Sequence, residues 1–386
     1  MLRRSLELGC LLASALVVLA CAAQRGGELG QPAPAEPAPA EPATVVADEH
    51  AFVFAPAGRP VAVYDRGVRG LKPYLRSVLG ADGVELLRDA PPDHEHHHGL
   101  MLALAVDDVD FWGERYADVP GRQVERLAAT FDLRLEHQAP RAGLVERIAW
   151  LDPREPTERL LEQRELSLEQ RELTPERREL TPERRELLPE RRELLPERRE
   201  LLPERRELPL DAPSAGAPLV FTWTSRLAVP DGRQSARLSG RAYFGLGMRL
   251  AEPFDRVARF THSDDAKSEL VRGDERLTAG RWCAIAAEVA GRTRTLALFA
   301  HPSNPRPARF FTMAEPFAYL SATLDLAREP LVLVRGEPRT LVYALAVWDR
   351  AAERDEIEAR YADWMARAVA SGVGPWTLLE GLGDPR

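Results

Sequence analysis

The stretch WCAIAAEVAGRTRTLALFA, residues 282–300, decides the fold. Two runs of strand length meet at a Gly291-Arg292 turn, the pattern of a β-hairpin. LVLVRGEPRTLVYALAVWD (331–349) repeats the plan around Gly336 to Pro338. FDLRLEH (131–137), LVERIAWL (144–151) and VFTWTSRLAV (220–229) alternate or run apolar over strand lengths. Short strands joined by hairpins predict a mainly β domain, an antiparallel β-sandwich of supersandwich or jelly-roll type. One segment reads as helix: after Asp349 as N-cap, Ile357, Tyr361, Trp364 and Met365 form an apolar stripe suited to packing on the sandwich.

The N-terminus, MLRRSLELGCLLASALVVLAC, has two arginines, an apolar run from Leu11 to Leu19 and then Ala20-Cys21. This is the pattern of a secretory signal (1–20) ending in a lipobox, with Cys21 as the lipidated residue. The expected localisation is therefore extracytoplasmic, anchored by lipid to a bacterial membrane. Of three cysteines, that leaves Cys283 alone in an oxidising compartment, where its apolar surroundings predict a buried, inert thiol. Residues 21–49 contain QPAPAEPAPAEPATVVADE, whose alternating Pro and Ala favour an extended polyproline II linker. A formal net charge of −8 argues against a nucleic-acid partner.

A heptapeptide repeat runs from Arg164 to Leu208, RELSLEQ followed by RELTPER and RELLPER units. Pro175, Pro182, Pro189, Pro196 and Pro203 recur every seventh residue, and each would cost a helix interior roughly 3 kcal/mol. An odd period would also swap the faces of a strand at every repeat. Residues 153–217 therefore read as a mobile, low-complexity, charge-balanced insertion, with 50–152 and 218–349 as the two parts of one sandwich domain and 350–386 as the helix and tail.

Four blocks carry a family resemblance. KPYLRSVLGADGVELLRDAPPDHEHHHGL (72–100) and DDVDFWGE (107–114) resemble the opening of a bacterial secreted family labelled "methane oxygenase PmoA" or left as a domain of unknown function. YFGLGMR (243–249) and HPSNPRP (301–307) resemble two later blocks in the same order. The resemblance implies a secreted β-sandwich with a carbohydrate-related role. It carries over Asp93, His94, His96, His97, Gly99, Asp110, Trp112, Gly245, Gly247, Arg249, His301, Asn304 and Arg306. Glu95 stands where the family usually has Pro, and His98 where it has Arg or Gln. The segment PARFF after Arg306 lacks two histidines found there in the family.

The histidines lie where a loop meets a strand: Pro91-Pro92 forces an extended entry and Leu100 to Val106 reads as a buried strand. In extended backbone His94, His96 and His98 would project to one side and His97 to the other. Two chemistries follow. His94 and His96, with His301 or Asp93, could bind a divalent metal. Alternatively His94, His97 or His301 serves as general acid/base on a sugar-like substrate held by Asp93, Trp112, Arg249, Asn304 and Arg306. Trp112 suits stacking on a sugar ring and equally a place in the core, while His50, His137 and His262 carry no motif. The expected function is binding or processing of a carbohydrate or related small molecule. The rival readings are a noncatalytic carbohydrate-binding or surface scaffold protein and a metal-dependent oxygenase.

Overall fold

The computed structural model describes residues 44–68, 70–133, 141–155, 157–169, 217–370 and 379. The signal, Cys21, most of the proline-rich linker, the proline-bearing heptads and His137 lie outside these residues.

The described strands, in chain order, begin with β1 (Val45–Ala47), β2 (Ala51–Phe54), β3 (Ala62–Asp65), β4 (Tyr74–Val78), β5 (Leu100–Ala103), β6 (Ala105–Val106) and β7 (Val109–Asp110). The long central ones follow: β8 (Arg122–Leu133), β9 (Arg141–Leu151), β10 (Glu158–Glu169) and β11 (Leu219–Ala228). Then come β12 (Ser235–Ser239), β13 (Gly245–Arg249), β14 (Arg259–His262), β15 (Glu269–Arg272), β16 (Glu275–Ala279), β17 (Trp282–Val289) and β18 (Arg292–Ala300). The last are β19 (Arg309–Met313), β20 (Tyr319–Thr323), β21 (Leu331–Val334) and β22 (Arg339–Trp348), followed by helix α1 (Arg354–Ala370).

Three antiparallel sheets result. A ten-stranded sheet is ordered β1-β2-β3-β4-β5-β13-β20-β19-β16-β15, an eight-stranded sheet β14-β17-β18-β22-β11-β10-β9-β8, and a four-stranded one β21-β12-β6-β7. The two large sheets pack face to face, as Phe54 on Phe221 (5.6 Å) and Tyr64 on Trp223 (6.2 Å) show. The expected antiparallel sandwich is therefore present.

Pairing registers fix which side chains face inward. Leu100, Met248 and Leu320 are aligned across β5, β13 and β20, on the same face as Leu75 and Tyr64, which meets the other sheet. Met101, Gly247, Ser321 and Phe311 alternate with them and face outward. In the eight-stranded sheet, Phe221, Cys283, Leu298 and Leu345 enter the main core, while Val220, Ala284, Phe299 and Ala346 meet Ile357, Tyr361 and Trp364 of α1. The run at 282–300 is apolar on both sides of its pleat because both faces are covered. Burying one side chain such as Ile357 contributes about 1.5–3 kcal/mol.

Several boundaries differ from the sequence reading. The 282–300 hairpin turns at Ala290-Gly291, both at positive φ (52° and 73°), with Val289 paired to Arg292, so Arg292 belongs to the strand. The two halves of 331–349 do not form a hairpin: β21 joins β12 while β22 lies between β18 and β11. Helix α1 starts at Arg354, and Asp349 is no N-cap; it pairs with Arg294 and accepts from Ala81 N (2.6 Å). The domain begins inside the expected linker, because β1 pairs with β2. The expected insertion at 153–217 is cut short, because β10 occupies Glu158–Glu169 between β9 and β11. The first REL unit is thus part of the sandwich, a single repeat being free of the face-swapping that excludes many. Cys283 is buried and unpaired as expected, and burial pushes its thiol well up.

Between the large sheets lies an ionic cluster. Arg164 donates from all five of its N–H groups: Nε and Nη2 to Glu162 (2.8 and 2.9 Å), Nη2 also to Gln123 (3.3 Å), and Nη1 to Tyr64 Oη (2.6 Å) and Pro73 O (3.0 Å). Its guanidinium lies 4.6 Å from the Trp223 ring centroid. Glu162 also accepts from Trp150 Nε1 (2.9 Å) and Ser225 Oγ (2.5 Å). Glu146, 3.5 Å from Arg164, accepts from Tyr64 and leaves Oε2 without a partner. The bonds to Pro73 O and from Gln123 N to Leu71 O (2.7 Å) clamp the backbone on either side of Lys72.

Candidate functional site

The segment from Pro91 to His98 is not extended. His94 N bonds Pro91 O and His97 N bonds His94 O, both at 2.8 Å, and Ala90 N closes the loop on His97 O (2.9 Å). These turns remove the alternation expected of a strand. His94, His96 and His97 instead cluster, with ring centroids 4.5–5.9 Å apart.

The three rings sit among aromatic side chains. Trp112 lies 5.0 Å from His96 and 5.1 Å from His97. Tyr116, more than half exposed, lies 4.6 Å from His96. Phe317 backs His94 (4.8 Å) and His97 (5.1 Å). Trp112 in turn stacks on Phe244 and touches Tyr243. Asp110 shapes this wall by accepting from the backbone N–H groups of Trp112 (2.7 Å) and Gly113 (2.9 Å).

Electrostatics separate the histidines into different roles. Burial, reinforced by His96, His94 and Arg249, lowers His97 to about 2. Burial and the charges of His94 and Lys72 lower His96 to about 4. Both are neutral imidazoles near pH 7, and their Nδ1 atoms are buried without partners. His94, half-exposed, has Nδ1 2.9 Å from Asp93 Oδ2, which keeps the proton on that nitrogen.

His98 turns away to Asp89 (Nδ1, 2.8 Å) and Glu114 (Nε2, 2.8 Å). Burial opposes its charge, but these two carboxylates outweigh burial and raise it. Burial also works against the Glu114 carboxylate, yet His98 and Lys72 hold it near 2. Lys72, fully buried, bonds Glu114 (2.8 Å) and Trp112 O (3.1 Å). Tyr74 Oη completes the chain by donating to Asp89 (3.1 Å). Lys72, Tyr74, His98 and Glu114 thus bind the first two motif blocks together and hold the turn in place. Lys72 is one of only two lysines and lies, like Tyr74 and Glu114, inside those blocks, a signal that could have marked all three from sequence.

Arg249 is buried beneath the turn. It pairs with Asp255 (3.4 Å), donates to Ala318 O (3.2 Å), and lies 3.9 Å from the Phe317 ring centroid. It therefore supports the phenyl ring that the histidines rest on rather than reaching for a ligand.

The last block is elsewhere. His301 bonds Ser303 Oγ (2.6 Å) and packs on Trp364 of α1 (5.7 Å), on the outer face of the eight-stranded sheet. Asn304 bonds Val342 N (2.7 Å) and O (3.1 Å), fixing its loop to β22. Arg306 donates to Glu329 O and Pro330 O. The turn with His94 lies over the outer face of the ten-stranded sheet, so the whole sandwich, about 10 Å between sheets, separates it from His301. The single site expected from all four blocks is thereby corrected: Asp93, His94, His96, His97, Trp112 and Arg249 converge, whereas His301, Asn304 and Arg306 hold a loop. A cleft of about 280 Å³ lined by Pro218, Trp348, Glu356 and Arg360 also lies beside α1, away from the histidines. Among the described residues no group of three or more His, Cys, Asp or Glu side chains is arranged to hold a metal ion.

Fold and site together define an antiparallel β-sandwich protein with an aromatic and histidine-lined surface site on one sheet. The chain belongs to a family of unknown function, DUF6807, matched over residues 52–362. No protein of curated function matches it. Among solved structures it is similar to an α-galactosidase from Lactobacillus brevis, with 6% identity and a TM-score of 0.37 over 78% of this chain and 38% of that one. The galactosidase domain of an α-galactosidase–sucrose kinase gives 8% identity and a TM-score of 0.34 over 78% and 40%. The chain thus spans less than half the length of either.

Proposed function

We propose that the protein binds a carbohydrate or a related neutral polyhydroxy molecule at the His94–His97 turn. The observation that carries this reading is the pair of neutral imidazoles, His96 and His97, with unpartnered Nδ1 atoms edge-on to Trp112 and beside the exposed Tyr116. Neutral imidazole both donates and accepts, matching hydroxyl groups, and aromatic faces suit the apolar C–H side of a sugar ring. A histidine whose conjugate acid ionises near 2 is a poor general base at neutral pH, which favours binding over catalysis by His97. The Asp93–His94 pair supports a second reading, in which His94 acts as acid/base on the bound molecule.

Fluorescence titration of the tryptophans with D-glucose, D-galactose and their methyl glycosides tests the reading. Saturable binding is expected, and Tyr116→Ala should weaken it roughly fivefold, the loss of about 1 kcal/mol of ring stacking. Binding equal in the two proteins would place the ligand elsewhere, and hydrolysis or isomerisation of a bound sugar would favour the acid/base reading.

We also propose that the domain works outside the cytoplasm, tethered through Cys21. Its support is the basic, apolar and small-residue-then-Cys order of residues 1–21. Labelled palmitate should enter the full-length protein expressed in bacteria and not the Cys21→Ser variant; label retained by that variant would rule the anchor out.

A further inference from the structure

Beneath the histidine turn, the outer face of the ten-stranded sheet carries polar groups that the protein itself does not satisfy. Tyr319 and Ser321 lie two residues apart on β20 and project to the same side, and Gly247 stands opposite Ser321 on β13. A Cβ at Gly247 would overlap Tyr319 Oη and come within 3.2 Å of Ser321 Cβ. Only glycine leaves the phenol room there.

Tyr319 is 2% exposed and Ser321 0%; the Trp112 indole N–H points at the phenol oxygen, but it can only donate, so the phenol proton meets no acceptor and the Ser321 hydroxyl has no partner at all. The His97 ring is 6.0 Å from Tyr319, and its Nδ1 is also unpartnered. Phe311 and Tyr243 complete the enclosure. Buried hydroxyls are normally bonded, and leaving them unpaired costs free energy that folding must absorb. The contrast with the core is direct, since Arg164 there uses every donor it has.

We propose that Tyr319 and Ser321, with His97, form a subsite that recognises a hydroxyl group of a neutral polyhydroxy ligand. The inference rests on the carbohydrate reading of the turn and deepens it by placing a ligand hydroxyl below the imidazoles. A hydroxyl matches all three groups, because it can accept from Tyr319, exchange a hydrogen bond with Ser321, and meet His97 Nδ1 in either tautomer. A carboxylate offers no proton to an accepting Nδ1, and a charge would be desolvated among aromatic rings at high cost.

The test uses Tyr319→Phe, Ser321→Ala and the double variant of the full chain, each removing a hydroxyl with little change of shape. Melting temperature and tryptophan titration with D-glucose, D-galactose and their methyl glycosides are measured for each. The subsite predicts that the melting temperature stays level or rises, because an unpaired buried group is removed, while affinity for the sugar bound by the parent falls roughly tenfold. Unchanged affinity means that ordered water alone meets the hydroxyls, and it overturns the subsite. A melting temperature several degrees lower means that they are bonded within the protein, with the same consequence. If the parent binds none of these sugars, the carbohydrate reading fails by itself, and the melting temperatures still decide whether the hydroxyls are unpaired.

Discussion

Replacing Arg164 with methionine is expected to destabilise the domain by about 3–5 kcal/mol, the usual cost of breaking a buried ion pair from one side. The guanidinium is fully buried, meets Glu162 through two bonds, and is the only cation within 4 Å of the Glu162 and Glu146 carboxylates among the described ion pairs. Its removal leaves Glu162 buried without a counter-charge, and Tyr64 Oη, Gln123 Oε1 and Pro73 O each lose a donor. Methionine fills much of the volume, so the loss reports charge and hydrogen bonding more than a cavity. For a domain of this size the melting temperature should fall by roughly 10 °C. A change of less than about 1 kcal/mol in denaturant unfolding would show that the cluster is not the electrostatic anchor of the sandwich.

The second large effect concerns Glu146 and pH. Burial raises its carboxyl to about 8, with Arg164 pulling the other way, against an ordinary value of 4.5 in the unfolded chain. One guanidinium serves two carboxylates, and Glu162 takes the bidentate bond, so Glu146 is the one that keeps its proton. Because the folded value lies above the unfolded one, its contribution to stability is fully present below pH 4.5 and is lost as pH rises to about 8. Across that window this group alone lowers stability by at most about 1.4 kcal/mol per pH unit. Glu146→Gln imitates the protonated carboxyl, its amide nitrogen falling where Oε2 has no partner. The variant should therefore gain stability over the parent as pH rises from 5 to 8.5. Parallel curves of melting temperature against pH for the two proteins would show that Glu146 is ionised throughout.

The same cluster shows why part of the fold was illegible in sequence. Periodicity finds a strand by its apolar face, and the inward face of β10 reads Leu160, Glu162, Arg164, Leu166, Leu168. Two charges in that series, followed by a proline-bearing repeat of the same composition, look like a solvated arm. Only Tyr64, Trp150, Trp223 and Ser225, brought from other strands, make the charges buriable. The strands at 144–151, 220–229 and 282–300 were legible because their apolar runs need no such partners. The 331–349 segment shows a different limit: it contains two strands, but the turn between them does not say whether they pair with each other or part to different sheets.

In the candidate site, the motif blocks marked Asp93, His94, His96, His97, Trp112 and Arg249, and the fold brings them together. The same blocks marked His301, Asn304 and Arg306 equally, and the fold places them on the far side of the sandwich. Tyr116, Phe317, Tyr319 and Ser321 carried no sequence signal, because a single aromatic or hydroxyl residue in a β protein is ordinarily part of the packing.

By itself the sequence determined that the domain is an antiparallel β-sandwich closed by a C-terminal helix, because side-chain alternation and turn chemistry act over a few residues and are written locally. The tertiary structure alone decided which histidines share a site, which charges are buried and which hydroxyls go unpaired. Those properties depend on strand order and register, which join residues as far apart as Lys72 and Tyr319 and leave no trace in any short stretch of chain.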